Sequence, residues 1–215
     1  MAEMSEKKRA EKIFSILKKE YPEVKSAISF SNPFQLLIAT ILSAQCTDER
    51  VNIVTKTLFK KYKKPQDFIS ISTGELEKDI YSTGFYRQKA KSIKKCCEKL
   101  IKEFNGKVPA GFDDLNKLPG VGRKTASVVA GNAFGIPAIA VDTHVIRLSN
   151  LLGFIDSNDP EKIEYKLKAL LPENNWVKSS HLLATHGRNI CIARRPKCLK
   201  CAIGNLCPSF NSANS

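Results

Sequence analysis

The stretch LPGVGRKTASVVAGNAF, Leu118 to Phe134, decides how this chain is read. Pro119, Gly120 and Gly122 flank Val121 and stand directly before Arg123 and Lys124, after which Ala and Val recur at helical spacing. Glycines open backbone conformations closed to other residues and leave amide groups uncovered by side chains. Two helices joined by PGVG make an αα-hairpin over about 113–134, the second helix beginning near Arg123. The free N–H groups of such a helix start carry partial positive charge and suit a phosphate. That binding is independent of base sequence, because phosphate contacts position a protein without reporting base identity. A nucleotide-binding P-loop is rejected: it needs Gly directly before Lys and another Gly five residues earlier, and Arg123 intervenes here. The plainer alternative is a tight turn followed by a solvated Lys124.

Outward from the hairpin, apolar residues repeat at three and four, and sustained two-residue alternation is missing, which predicts an all-α protein. Ile13, Leu17 and Tyr21 line one helix. Phe34, Leu37, Ile38, Ile41 and Leu42 line a second, apolar enough to be central. Val51, Val54, Leu58 and Tyr62 continue the pattern, then Leu76 and Ile80, then Ile93, Cys97, Leu100, Ile101 and Phe104. Each stripe needs a partner helix. Turn chemistry places breaks at KKPQD, STGFY, NGKVPAGFDD, LPGVG, FGIPA, GFIDSNDPEK and LPENNW. Asp113 or Asp114 is expected to cap a short helix ending near Leu118, and Asp159 with Pro160 reads as an N-cap followed by a first-turn proline.

A chain of 215 residues has enough length to bury a sizeable core. Its 35 Lys and Arg against 21 Asp and Glu give a net charge of +14, which favours a polyanionic partner such as nucleic acid or an anionic membrane. No window approaches the ~18 unbroken apolar residues of a membrane span, and MAEMSEKKRAEK is not followed by a signal-peptide core. A cytoplasmic protein is therefore expected, with reduced cysteines available for a metal.

Cys191, Cys198, Cys201 and Cys207 give C-x6-C-x2-C-x5-C. Structural zinc sites usually present two close pairs, whereas only one close pair exists here, so the spacing favours a [4Fe–4S] cluster over zinc and both over unligated thiols. Cys46, Cys96 and Cys97 read as small core residues of helices. In AVDTHVIRL, Asp142 sits between a β-branched run and a helix start. It reads as an N-cap whose carboxylate is also available for catalysis.

The hairpin LPGVGRKTA, the segment AVDTH and the cysteine spacing, in this order, resemble the endonuclease III family of DNA base-excision repair glycosylases. SNPFQLLIATILSAQCTD and STGFYRQKA extend the resemblance over nearly the whole chain. It implies two α-helical domains with DNA between them: a six-helix domain over 26–136 ending in the helix-hairpin-helix, and a domain of 1–25 with 137–215 that holds the cluster. Lys124 matches the family's nucleophile, which attacks C1′, expels the damaged base and forms a Schiff base before elimination breaks the strand. Asp142 matches its carboxylate. A lysine's neutral amine costs about 4–5 kcal/mol at pH 7. A helix N-terminus and a neighbouring arginine both disfavour an ammonium, so lysine, helix end and carboxylate make chemical sense as a set.

Gln45 matches the residue that fills the gap left by the flipped nucleotide, and Phe85 falls where the family's leucine wedge is expected. Their plainer readings are a polar helix-end residue and a core aromatic. His144 is expected either to contact a DNA phosphate or to pack, and Arg147 with the run Arg194 to Lys197 either to reach the backbone or to stay solvated. The implied function is a monomeric, bifunctional glycosylase and abasic-site lyase that removes oxidised pyrimidines from double-stranded DNA. The rivals are a mismatch-directed glycosylase of the same superfamily and a non-catalytic DNA-binding module.

Overall fold

The computed structural model describes residues 4–213, and every regular element among them is helical. The chain runs α1 (Glu6–Glu20), α2 (Pro33–Leu42), α3 (Asp48–Lys61), α4 (Pro65–Ser70), α5 (Thr73–Ile80), α6 (Tyr86–Phe104), α7 (Phe112–Asn116), α8 (Arg123–Phe134), α9 (Thr143–Leu151), α10 (Pro160–Leu170), α11 (Trp176–Asn189) and α12 (Pro208–Ala213). It divides into two compact units: Ser26–Ile136, and Met1–Lys25 with Pro137–Ser215. No helix among the described residues is long and apolar enough to cross a membrane.

The Ser26–Ile136 unit is organised around α2, whose ten residues follow an Asn32 cap and open on Pro33. Eight of them are buried, Phe34 and Leu36 to Leu42, so the helix has almost no solvent face. It packs against α3, α6 and α8. The spacing left α4 unseen, because a six-residue helix is too short to show a stripe and its first residue, Pro65, reads as a breaker. Proline costs nothing at a helix start, where its missing N–H has no partner in any case. The Asp67 carboxylate accepts from the Lys63 and Lys64 amides at 2.7 and 3.1 Å and closes the turn. Phe68 on α4 is fully buried, edge-on to Phe34 with ring centres 5.6 Å apart. Burying a ring of that size stabilises by about 1.5–3 kcal/mol.

In the second unit, α1 packs on α10 and α11, and Ile13, Phe14 and Leu17 join Val145, Leu148, Leu167 and Leu183 in one core. Asp159 caps α10 as expected, its Oδ1 accepting from Glu161 N at 2.8 Å. Asp113 and Asp114 do not cap α7: Gly111 occupies the cap position with no side-chain bond, and both aspartates lie in the first turn. There they still oppose the positive helix end, and Asp114 pairs with Lys117 at 3.0 Å. Cys96 and Cys97 are buried on α6, but Cys46 is half-buried in the turn after α2 rather than in a helix.

Candidate active site

The link between α7 and α8 has the layout of a type II turn, with Pro119 second and Gly120 third. Val121 N donates to Leu118 O at 3.0 Å, and Gly120 has φ +79°. A Cβ on Gly120 would lie 2.8 Å from Ser92 Cβ, so both conformation and space demand glycine there. Leu118 and Val121 are buried and anchor the turn from either side. Gly122 is different: it caps α8 at φ −96°, ψ 179°, a conformation open to any residue, and an added Cβ would meet no heavy atom within 4 Å. Only one of the two glycines is thus required by the backbone. Gly122 gives α8 no side-chain cap, so the first-turn amides are left to other partners. Arg123 lays its guanidinium over the Phe112 ring at 5.4 Å, and Lys124, the second residue of the helix, is exposed.

Two further turns of the same unit carry Gln45 and Phe85. Both are exposed and both are left-handed, with φ 52° and 48°. Asn105 is the remaining non-glycine residue at positive φ among the described residues, and asparagine at a helix C-cap is an ordinary occupant of that region. For glutamine and phenylalanine it is a strained one, costing about 1–3 kcal/mol each. Phe85 is 65% exposed, which removes its reading as a core aromatic. Behind these turns lies Lys89, 5% exposed, a residue the sequence reading passed over.

In the other unit Asp142 caps α9, as expected. Its Oδ1 alone accepts from both His144 N and Val145 N, each at 2.9 Å. That division of labour leaves the cap independent of Oδ2. His144 packs on Gly187, where an added Cβ would approach it to 3.0 Å, and its Nδ1 lies 3.3 Å from Arg147 Nη2. Arg147 donates from Nη2 to Gly187 O at 3.0 Å and Cys191 O at 2.7 Å, so it braces the end of α11 instead of extending outward. Arg194, Arg195 and Lys197 are exposed.

Cys191, Cys198, Cys201 and Cys207 line one cavity of about 230 Å³ with Leu148 and Ile203. Among the described residues, no three Cys, His or carboxylate side chains converge as a single metal ion requires. Burial pushes the Cys191 and Cys201 thiols up. Thiolates in such a setting call for cationic charge within the cavity. Cys201 Sγ lies 3.3 Å from His186 Nε2, and the other ring nitrogen meets the Tyr21 hydroxyl at 3.0 Å. Burial lowers His186 to about 4, so at neutral pH the ring is uncharged. Nothing in the spacing of this histidine singled it out.

The model of the HhH-GPD superfamily of base excision DNA repair proteins matches residues 38–173. The chain is similar to endonuclease III of Synechocystis sp., 49% identical over 97% of this chain and 96% of that protein. Among solved structures it is similar to a non-covalent endonuclease III–DNA complex, with TM-score 0.94, 45% identity, and coverage of 98% of this chain and 99% of that one. It is equally similar to a trapped endonuclease III–DNA covalent intermediate, again with TM-score 0.94 and 45% identity, over 99% of this chain and all of the other. The chain belongs to the endonuclease III family, within the HhH-GPD superfamily of base excision DNA repair proteins. Its activity is that of a bifunctional DNA glycosylase and abasic-site lyase.

Proposed function

We propose that this protein removes oxidised pyrimidines from double-stranded DNA and cleaves the abasic strand, with Lys124 as nucleophile and Asp142 as its carboxylate. The observation that carries the assignment is the exposed Lys124 on the first turn of α8, beside a glycine that puts no side chain over the helix start. A flipped nucleotide would bring C1′ to the amine. The lysine lone pair forms the C1′–N bond, the damaged base leaves with the glycosidic electron pair, and the sugar ring opens to an iminium. Loss of a C2′ proton then expels the 3′ phosphate. Asp142 takes up the amine's proton and stabilises the cationic sugar, while its Oδ1 keeps the α9 cap.

Pro119, Gly120, Val121, Gly122 and Arg123 form the phosphate seat, with His144 as a further backbone contact. Gln45 and Phe85 enter the duplex. The strained, exposed turns support that role, because such conformations gather where a side chain must be presented rather than buried. Cys191, Cys198, Cys201 and Cys207 hold a [4Fe–4S] cluster in the Met1–Lys25 and Pro137–Ser215 unit. The donor set fits: four free thiols share an apolar cavity without converging on one point. The cluster would hold that unit together and contributes no step to the chemistry given above. The protein acts as a cytoplasmic monomer on damaged or abasic duplex.

Borohydride trapping on abasic duplex tests the assignment. Wild-type protein should become covalently attached to the DNA, and Lys124→Gln should bind equally well without attachment. Trapping by Lys124→Gln at the wild-type rate means another residue is the nucleophile.

A further inference from the structure

We infer that Lys89 is a positioning residue that ties the Gln45 and Phe85 turns into one rigid presentation, so that both side chains enter the duplex together. The inference rests on the reading of Gln45 and Phe85 as the residues that enter DNA. Lys89 lies on the first turns of α6, and its Nζ donates to Leu42 O at 2.8 Å and to Thr83 O at 2.7 Å. Leu42 ends α2 three residues before Gln45, and Thr83 stands two residues before Phe85. One ammonium therefore ties together the roots of both strained turns. Its own amide also donates to Phe85 O at 3.0 Å.

Lysine is almost never fully buried without a partner. At this position the stem crosses the core side of α6, next to fully buried Ala90 and Ile93. The C-terminal carbonyls of α2 form the negative end of a helix dipole, which suits a cation. An ammonium also directs three donors outward from one atom, so it can serve carbonyls arriving from separate segments. Thr83, 2% exposed, is held in turn by its own Oγ1 donating to Ile80 O at 2.8 Å. Residues in sparsely populated backbone regions persist only where their surroundings over-determine them, and Lys89 supplies that determination for both turns.

The test uses full-length protein carrying Lys89→Met, Lys89→Arg, Gln45→Ala or Phe85→Ala. Three signals are read: fluorescence of 2-aminopurine opposite a tetrahydrofuran abasic analogue in duplex, single-turnover excision of thymine glycol from duplex, and borohydride trapping on an abasic single strand. Gln45→Ala and Phe85→Ala should each lower the first two. Lys89→Met should slow excision by between about tenfold and a hundredfold, the scale of a small misplacement, and lower the fluorescence as Gln45→Ala and Phe85→Ala do. Trapping on the single strand, which has no gap to fill, should stay near wild type. Lys89→Arg, which keeps the donors, should recover much of the loss.

Equal losses on duplex and single strand would make Lys89 merely structural and overturn the inference. So would wild-type fluorescence and excision in Lys89→Met while Gln45→Ala and Phe85→Ala are impaired. If Gln45→Ala and Phe85→Ala are themselves silent, the insertion reading falls and this inference with it. Should Lys89→Met not fold, Lys89→Gln, whose neutral amide stops one bond short of the Nζ position, must show the same selective loss on duplex. An unchanged duplex-to-single-strand ratio there also overturns it.

Discussion

Gly120 and Gly122 lie two residues apart in the same turn, and alanine should injure them in opposite ways. At Gly120 alanine meets two penalties. Its φ of +79° is the left-handed region, costing an L-residue about 1–2 kcal/mol. The new Cβ would sit 2.8 Å from Ser92 Cβ, which is fixed to the α6 backbone and cannot swing away, adding about 1–3 kcal/mol of overpacking. The sum, about 2–5 kcal/mol, should lower Tm by roughly 4–20 °C at 2–4 °C per kcal/mol for a chain of this size. Gly122→Ala meets neither penalty. Its slightly poorer cap is offset by about 0.4–1 kcal/mol of lost unfolded-state freedom, so Tm should stay within a few degrees. The methyl nevertheless stands beside the amides proposed to hold a phosphate. Losing a charge-assisted contact of about 1.5–3 kcal/mol should weaken duplex binding by about ten- to a hundredfold. Thermal melts and fluorescence anisotropy on an abasic-analogue duplex read the two effects separately. Wild-type affinity in Gly122→Ala would show that the hairpin amides are not the phosphate seat. A Gly120→Ala protein as stable as wild type would refute the packing argument, and Gly120→Ala with Ser92→Gly should regain part of the loss.

Asp142→Asn should keep the α9 cap, since asparagine also offers the Oδ1 that bonds His144 N and Val145 N. Melting should then barely change while single-turnover excision slows by about 10² or more; equal rates would remove Asp142 from the chemistry. Tyr62 donates to Asp79 Oδ2 at 2.8 Å and Glu75 Oε1 at 3.2 Å, and burial with these bonds raises its phenol above the ordinary 10.0. The folded chain keeps a proton that the unfolded chain releases, so this contribution is complete below pH 10.0 and declines above it. Urea midpoints from pH 8 to 11 should fall more steeply for wild type than for Tyr62→Phe. Burial also pushes Cys96 up to about 12 and raises Cys97 as well, so brief iodoacetamide treatment of native protein at pH 8 should spare both and modify half-buried Cys46 faster. Anaerobically purified protein should be yellow-brown with about four iron atoms per chain, and stoichiometric zinc without iron would overturn the cluster assignment.

The hairpin, the α9 cap and the long helices were legible because each leaves a local signal: Pro-Gly turn chemistry, an aspartate before a helix, a repeat of three and four. Helix α4 was not, since six residues opening on Pro65 are too few for periodicity. The strain at Gln45 and Phe85 was also hidden, because nothing in glutamine or phenylalanine announces a positive φ. Gly120 and Gly122 look alike in sequence and differ only once Ser92 is seen beside one of them. Lys89 left a trace that could have been followed: it falls in the buried register of α6, with Ile93 four residues on and Ala90 beside it, where a charged residue is out of place. Arg147, which the sequence leaves open between reaching the DNA backbone and staying solvated, is instead occupied by the carbonyls of Gly187 and Cys191.

The division of the chain sets an order on its synthesis. Ser26–Ile136 is continuous and can collapse as soon as it clears the ribosome, whereas α10 and α11, on which α1 packs, are made much later. At about 5–20 residues per second, the 140 residues from Glu20 to Pro160 take some 7–28 s to emerge. Throughout that wait the apolar strip of Ile13, Phe14 and Leu17 lacks α10 and α11 to cover it. The lysines and arginine that alternate with the strip, Lys7, Lys8, Arg9, Lys12, Lys18 and Lys19, keep the nascent helix soluble until its seat has been made. A slow-translating host, or a stalled message, should therefore expose this strip to chaperones long before any damaged DNA is met.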